Sequence, residues 1–232
     1  MYTKSARFYD SIYQFLDYKK AAQQIQTLIQ QFNSNAKTLL DIGCGTGKHL
    51  EYLRETYEVE GLDQSGKMLD IAKIRCPGVL FHQDDMVKFD LGHSFDVITC
   101  LFSSIGYVRT KENMYAAVSR MAYHLNPKGI LIIEPWFSPE NYWVGRLTAN
   151  FVDQPDLKLA WMYVSDIQGL VSILDIHYLI GTPDGISQFT ERHESGLFTH
   201  EEYQNAFRRM ELDVEYNPEV LFNRGLYIGE KH

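Results

Sequence analysis

The sequence predicts an α/β fold in which a parallel sheet carries helices on both faces and an antiparallel segment follows. Three observations point there. Short continuous apolar runs alternate with stretches of helical period up to Pro135. A glycine turn, Gly43-Cys44-Gly45-Thr46-Gly47, closes the first of those runs. Beyond Pro135 the pattern changes to in–out alternation, which suits antiparallel strands with one wet face.

The elements follow in order. Ile12, Phe15 and Leu16, then Ala21, Ala22, Ile25, Leu28 and Ile29, recur at spacings of three and four, as on one helix face, and Asn33-Ser34-Asn35 ends it. Thr38–Ile42 reads as a strand, and helical period resumes through Leu50 and Leu53. Residues 59–63 form a second strand, with a helix over about 65–75. Residues 79–82 and 95–102 suit buried strands, and 111–125 a helix. Asn126-Pro127-Lys128-Gly129 is a turn before another continuous apolar strand, 129–135, the fifth. Between Ala160 and Phe198 the segments 162–164, 171–180 and 188–194 alternate, broken at Gly169 and at Gly181-Thr182-Pro183-Asp184-Gly185. Thr199-His200-Glu201-Glu202 has the form of a capping box opening a helix to about Met210. Strands at 212–216 and 226–229 close the chain. With no repeat and no linker, residues 1–232 are expected to form one domain, carrying 139–198 as an antiparallel β insertion.

Composition bounds the function. The 232 residues are 45% apolar and 22% charged, which excludes collagen-like, low-complexity and wholly disordered classes. Lys plus Arg total 22 against 30 Asp plus Glu, a net charge of −8. Such a chain lacks the field that non-specific nucleic-acid or anionic-membrane binding needs, so neither is an expected partner. Cys44, Cys76 and Cys100 are odd in number and follow no paired-ligand spacing, pointing to a reducing compartment without structural zinc. The eight histidines show no ligand spacing, so no metal is expected. No apolar run approaches the ~20 residues of a membrane span, and the N-terminus lacks the apolar core of a secretory signal. A cytoplasmic location is the expectation.

The glycine turn is the first chemical signal. Glycines between a strand and a helix adopt positive φ without Cβ strain and let backbone approach a ligand. Alone, such a turn is weak evidence. Asp63, twenty residues past Gly43, ends the next strand, where a carboxylate accepts from ribose hydroxyls. Asp85-Met86 follows the third strand at the same sheet edge, within reach of an adenine amino group. A dinucleotide motif wants G-x-G-x-x-G; here Gly47 comes one position early and Lys48 takes the glycine's place. Asp41, closing the first strand, repels a pyrophosphate and accepts from an ammonium. The pattern favours S-adenosylmethionine (SAM) over NAD.

The run Asp41-Ile42-Gly43-Cys44-Gly45-Thr46-Gly47-Lys48-His49, with Asp63 and Asp85-Met86, resembles the class I SAM-dependent methyltransferases. That implies a Rossmann-like seven-stranded sheet, with S-adenosylhomocysteine as product. Three further stretches narrow the likeness: Phe102-Ser103-Ser104-Ile105-Gly106-Tyr107, His124-Leu125-Asn126-Pro127-Lys128-Gly129 and Glu134-Pro135-Trp136-Phe137-Ser138-Pro139-Glu140-Asn141. With Phe81-His82-Gln83-Asp84-Asp85-Met86, Tyr9-Asp10 and Arg224-Gly225-Leu226, they are similar to the TDP-3-amino-sugar N,N-dimethyltransferases of the desosamine and mycaminose type. The resemblance implies N-methylation of a small-molecule acceptor, a TDP-amino sugar.

It also implies roles at matching positions. Gly43, Gly45 and Gly47 line the methionine portion, Asp63 the ribose, and Asp85 with Met86 the adenine. Gln64, Met68, Leu101 and Phe102 join the cofactor set. Tyr107 and Tyr2 approach the amino group and are the catalytic candidates; Arg224 meets the diphosphate; Tyr9, Ser104 and Trp136 complete the substrate set. Three features depart from the family pattern. A basic G-R-G-K stretch is missing before Asp17-Tyr18, Asp84 replaces a glycine, and Pro218-Glu219-Val220-Leu221-Phe222-Asn223 stand where glycines precede Arg224.

Plainer readings stand beside these. Tyr9 and Tyr13, one helical turn apart, are packing residues or ligands; Trp136 is core or site; Glu134 caps the sheet edge; His124 is structural. Tyrosine, with a pKa near ~10, is no strong base at neutral pH, so Tyr107 and Tyr2 are read as orienting groups, with the proton lost to water. Other small acceptors (an amino acid, a phenolic natural product) and a non-catalytic SAM-binding module are the rival functions. The insertion is expected to roof the acceptor pocket and to pair two subunits as a homodimer.

Overall fold

A computed structural model describes residues 2–218 and 224–232. The replaced stretch ahead of Arg224 thus falls outside the described residues at 219–223.

The chain opens with a 3₁₀ turn, Ala6–Phe8, a short α1 (Tyr9–Ile12) and then α2 (Tyr18–Phe32). The single helix face expected across these residues is therefore broken. Asp17 is the reason: its side chain accepts from the Lys20 amide at 2.9 Å and caps α2, so the helix starts there. Phe15, assigned to the buried stripe, is 62% exposed.

β1 (Thr38–Ile42), α3 (Leu50–Leu53), β2 (Glu58–Asp63), α4 (Gly66–Arg75) and β3 (Leu80–Gln83) follow in the expected rhythm. β4 (Phe95–Cys100) stops two residues earlier than expected because Phe102 and Ser103 both take positive φ, +50° and +61°, and turn the chain. A 3₁₀ turn, Ser104–Val108, leads into α5 (Lys111–Tyr123), capped by Thr110. β5 (Leu125–Ile133) takes in the expected turn at 126–129 as an irregularity: the register with β4 jumps from Phe95↔Leu125 to Val97↔Ile130.

A four-stranded antiparallel meander follows: β6 (Leu147–Gln154), β7 (Leu157–Gln168), β8 (Val171–Thr182) and β9 (Gly185–Gly196). β6 offers no alternation for the sequence to show, since only Val152 of its eight residues is buried. The capping box at Thr199 is present and opens α6 (His200–Arg208). β10 (Leu212–Asn217) and β11 (Leu226–Lys231) complete the first sheet.

That sheet has seven strands in the order β10-β11-β5-β4-β1-β2-β3, with β11 antiparallel to its neighbours. Helices cover both faces, which explains continuous apolar strands. Leu40, Ile42, Ile98 and Leu131 pack under α5 and α6, while Leu39, Val97, Ile130 and Ile132 pack under α2 and α3. The meander has its own core of Val152, Leu159, Trp161, Ile176, Tyr178 and Ile180, and Phe8 and Ile12 of the N-terminal segment pack into it. Among the described residues no helix is long and apolar enough to cross a membrane.

Candidate active site

The C-terminal ends of β1 to β5 open into a cavity of about 660 Å³, the edge where ligands of open α/β sheets bind. The meander closes its other side with Trp161, Tyr163, Leu174, Ile176, His193 and Ser195.

On the sheet side the glycine loop is held by its acidic neighbour. The Gly43 and Cys44 amides donate to Leu62 O at 2.7 and 3.1 Å. The Gly45 amide donates to Asp63 Oδ2 at 2.9 Å, and the Ser65 amide to Oδ1 at 2.8 Å. Burial nevertheless raises the Asp63 carboxyl above its ordinary range. Gly43 at φ +70° is required sterically: a Cβ there would lie 2.6 Å from that of Ser104. Gln64, Met68, Asp85, Met86 and Phe102 line the same cavity. Asp85 is fixed by accepting the Val87 amide at 3.1 Å, and Asp84 lines the cavity beside it.

Three residues assigned to the cofactor do not line the cavity. Asp41 is 2% exposed and accepts from Thr99 Oγ1 at 2.8 Å; burial pushes its pKa up to about 7. Gly47, at φ +76°, forms the loop's inner turn against Ala72 and Cys76. Leu101 is core, packed in the α2 layer. Each lies behind the wall that its neighbours form.

The side toward the meander is aromatic. Tyr2 Oη lies 2.9 Å from Tyr107 Oη, and Tyr107 Oη 3.2 Å from His193 Nδ1. Tyr9 stands edge-on to Tyr2 at 5.1 Å between centroids and also touches Tyr13. Burial holds the hydroxyls of Tyr2, Tyr9 and Tyr107 above the ordinary phenol range, so all three are protonated at neutral pH. Ser104 serves the loop, donating from Oγ to Gly43 O at 3.2 Å. Trp136 faces the cavity and donates from Nε1 to Ser172 Oγ of β8 at 2.9 Å, tying sheet to meander.

Arg224 also lines the cavity. Its guanidinium stacks over Trp136 at 5.0 Å, near Phe102 and Phe137, and donates to Ser103 Oγ at 2.8 Å. Nη1 stands 3.9 Å from Glu134 Oε1. Glu134 is fully buried; its Oε2 accepts the Phe102 amide at 2.6 Å, so it anchors the left-handed turn after β4 rather than the sheet edge in general. Burial raises its pKa to about 7 against the lowering field of Arg224.

An N-terminal strap joins the two sides. Asp10 accepts from Thr46 Oγ1 at 2.8 Å and pairs with Arg75. Glu191 of β9 accepts the Lys4 amide at 2.6 Å and the Ser5 hydroxyl. Lys67 Nζ donates to Thr3 O at 2.7 Å. Sequence reasoning missed Glu191, His193, Trp161 and Tyr163. In an alternating strand nothing separates a site-facing polar residue from a solvent-facing one until the sheet is placed.

Positive-φ glycines beside a fixed carboxylate, with Asp85 and Met86 one strand over, fit an adenosine and an amino-acid group, so the residues present suit SAM. Comparison with known proteins agrees. A family model described as a methyltransferase domain matches residues 39–129. The dTDP-3-amino-3,6-dideoxy-alpha-D-glucopyranose N,N-dimethyltransferase of Streptomyces fradiae is 38% identical, covering 97% of this chain and 89% of its own. The crystal structure of Streptomyces venezuelae DesVI superposes with a TM-score of 0.94 at 35% identity, covering 99% of both chains. SAM-bound CalS10, an amino pentose methyltransferase from Micromonospora echinaspora, gives 0.89 at 35% identity over 97% of each.

Proposed function

The chain belongs to the SAM-dependent dTDP-amino-sugar N,N-dimethyltransferases, and on that premise we propose that it methylates the amino nitrogen of a dTDP-linked amino sugar. The observation that carries this reading is the meeting, in one cavity, of the Asp63-braced glycine loop and the Tyr2–Tyr107 hydroxyl pair.

When bound, SAM supplies a methyl group already activated on a sulfonium. The chain's contribution is then placement, which can supply ~7–11 kcal/mol of a barrier. Asp63 and Asp85 hold the adenosine, and the loop at Gly43 and Gly45 the amino-acid portion. Tyr2 and Tyr107, both protonated, orient the amine without deprotonating it, and the proton leaves to water. Tyr9, Ser104 and Trp136 shape the acceptor side. Arg224 binds the diphosphate, since a guanidinium grips phosphate oxygens in a fork. In a chain of net charge −8, that grip must come from locally focused cations.

The reading extends to architecture. Residues 139–198 are an insertion within one domain and roof the acceptor. Their outer face exposes Leu147, Phe151, Met162, Val164, Leu179 and Ile186, an apolar surface suited to a second copy of the chain. Buried free thiols at Cys44, Cys76 and Cys100 support a cytoplasmic setting.

The test is incubation with methyl-labelled SAM and dTDP-3-amino and dTDP-4-amino sugars, beside glycine and simple phenols. Label on an amino sugar is the expected result. Label on glycine or a phenol, with every amino sugar untouched, overturns the acceptor; no transfer to anything leaves a binding module.

A further inference from the structure

His193 lies on β9, on the face that also carries Glu191 and Ser195, and is 4% exposed. Its Nδ1 is 3.2 Å from Tyr107 Oη, its ring meets that of Tyr2 with centroids 4.7 Å apart, and its Nε2 has no hydrogen-bond partner among the described residues. The three groups form a line, Tyr2 Oη to Tyr107 Oη to His193 Nδ1, that runs from the cavity wall into the meander.

We propose that His193 is a positioning residue that sets the direction of this line: Nδ1 accepts from Tyr107, Tyr107 accepts from Tyr2, and both phenol oxygens keep lone pairs for the acceptor's N–H groups. The inference rests on the amine-acceptor reading above. An amine whose lone pair points at the methyl donor offers its other neighbours only N–H bonds, and these need acceptors. Tyrosine hydroxyls satisfy that need only when their own hydrogens are engaged elsewhere. A chain of two hydroxyls engages both hydrogens only if it ends on a pure acceptor. Nδ1 of a neutral imidazole whose hydrogen is on Nε2 is one, and burial favours the neutral ring. Without that terminus the Tyr107 hydrogen turns to the amine lone pair, the electron pair the reaction needs.

Histidine ¹⁵N NMR on the full chain with S-adenosylhomocysteine reads the tautomer directly, without turnover. A bare Nδ1 and protonated Nε2 at pH 7 are expected; the opposite tautomer, or an imidazolium, overturns the proposal. In kinetics, His193→Leu should lower kcat about ten- to a hundredfold with the acceptor KM and SAM affinity nearly unchanged. His193→Asn, whose amide oxygen can occupy the acceptor position, should recover kcat to within about threefold. An undiminished kcat in His193→Leu, or a His193→Asn as slow as the leucine variant, overturns the inference; the latter would make His193 a base. Should His193→Leu fail to fold, Tyr107→Phe breaks the same line and should lose kcat to the same extent. Failure of every amine to accept methyl would overturn the acceptor reading, whereas the NMR result still decides the tautomer.

Discussion

The amide of Gly45 donates to the carboxylate of Asp63, 2.9 Å away, so the residue proposed as a ribose ligand also braces the loop proposed to meet the amino-acid portion of SAM. Losing a charge-assisted hydrogen bond costs about 1.5–3 kcal/mol. Asp63→Ala should weaken SAM binding roughly ten- to a hundredfold by calorimetry. An unchanged affinity would remove Asp63 from the cofactor site.

Gly43 and Gly45 should respond differently to alanine. At Gly43 a new Cβ meets that of Ser104 at 2.6 Å, whereas at Gly45 it meets nothing within 4 Å among the described residues. Both carry positive φ, so each bears the ~1–2 kcal/mol backbone cost. Gly43→Ala should therefore lower Tm clearly more than Gly45→Ala. Equal melting temperatures would argue against the close approach of the turn after β4.

The pH dependence of stability carries a sign set by Asp41. Burial raises its native pKa to about 7, against about 3.9 unfolded. Between those values the native state holds a proton that the unfolded state has released, so stability falls as pH rises through the window. Asp41→Asn should flatten that fall and be the more stable protein at pH 8, by roughly 1–4 kcal/mol. Glu134, raised to about 7 by burial against Arg224, contributes a remaining slope of the same sign. Urea titrations from pH 4 to 8 would expose a wild-type stability that rises instead.

Arg224→Ala should raise the acceptor KM tenfold or more, on the order of 1.4 kcal/mol, while SAM affinity stays within about twofold. Added salt should weaken acceptor binding more than SAM binding. Equal losses for both ligands would mean that the guanidinium mainly shapes the turn at Phe102 and Ser103.

Phe151→Asp sets a charge in the outer face of the meander, where Phe151 is 67% exposed and opposite Ala160. Sedimentation should show a dimer for the native chain and a monomer for the variant, with the meander still folded. A monomeric native chain would remove the pairing.

The sequence made the sheet side of the site legible, and physics explains where it stopped. Gly43 follows β1, which is buried along nearly its whole length and announces its end by an abrupt change from apolar to glycine, while Asp63 and Asp85 were placed by their spacing from that turn. Asp41 and Gly47 belong to the motif, and Leu101 adjoins the stretch that begins at Phe102, but all three lie one layer back, because sequence spacing does not encode depth. The break before α2 was hidden because apolar spacing continues across Asp17, whose capping role needs the backbone to be seen. β6 escaped because its one buried residue gives no period. His193 escaped because a lone histidine in an alternating strand carries no partner in sequence; Tyr107 is 86 residues away.

The N-terminal strap is fastened through side chains at Glu191, Asp10 and Lys67 rather than through a strand ladder. These bonds add to the burial of Phe8 and Ile12 in the meander core. The strap carries Tyr2 and Tyr9, which line the cavity beside Tyr107, so the order of that wall depends on the strap staying seated. Glu191 of the meander thus fixes Tyr2 against Tyr107 at a distance, through the Lys4 amide and the Ser5 hydroxyl.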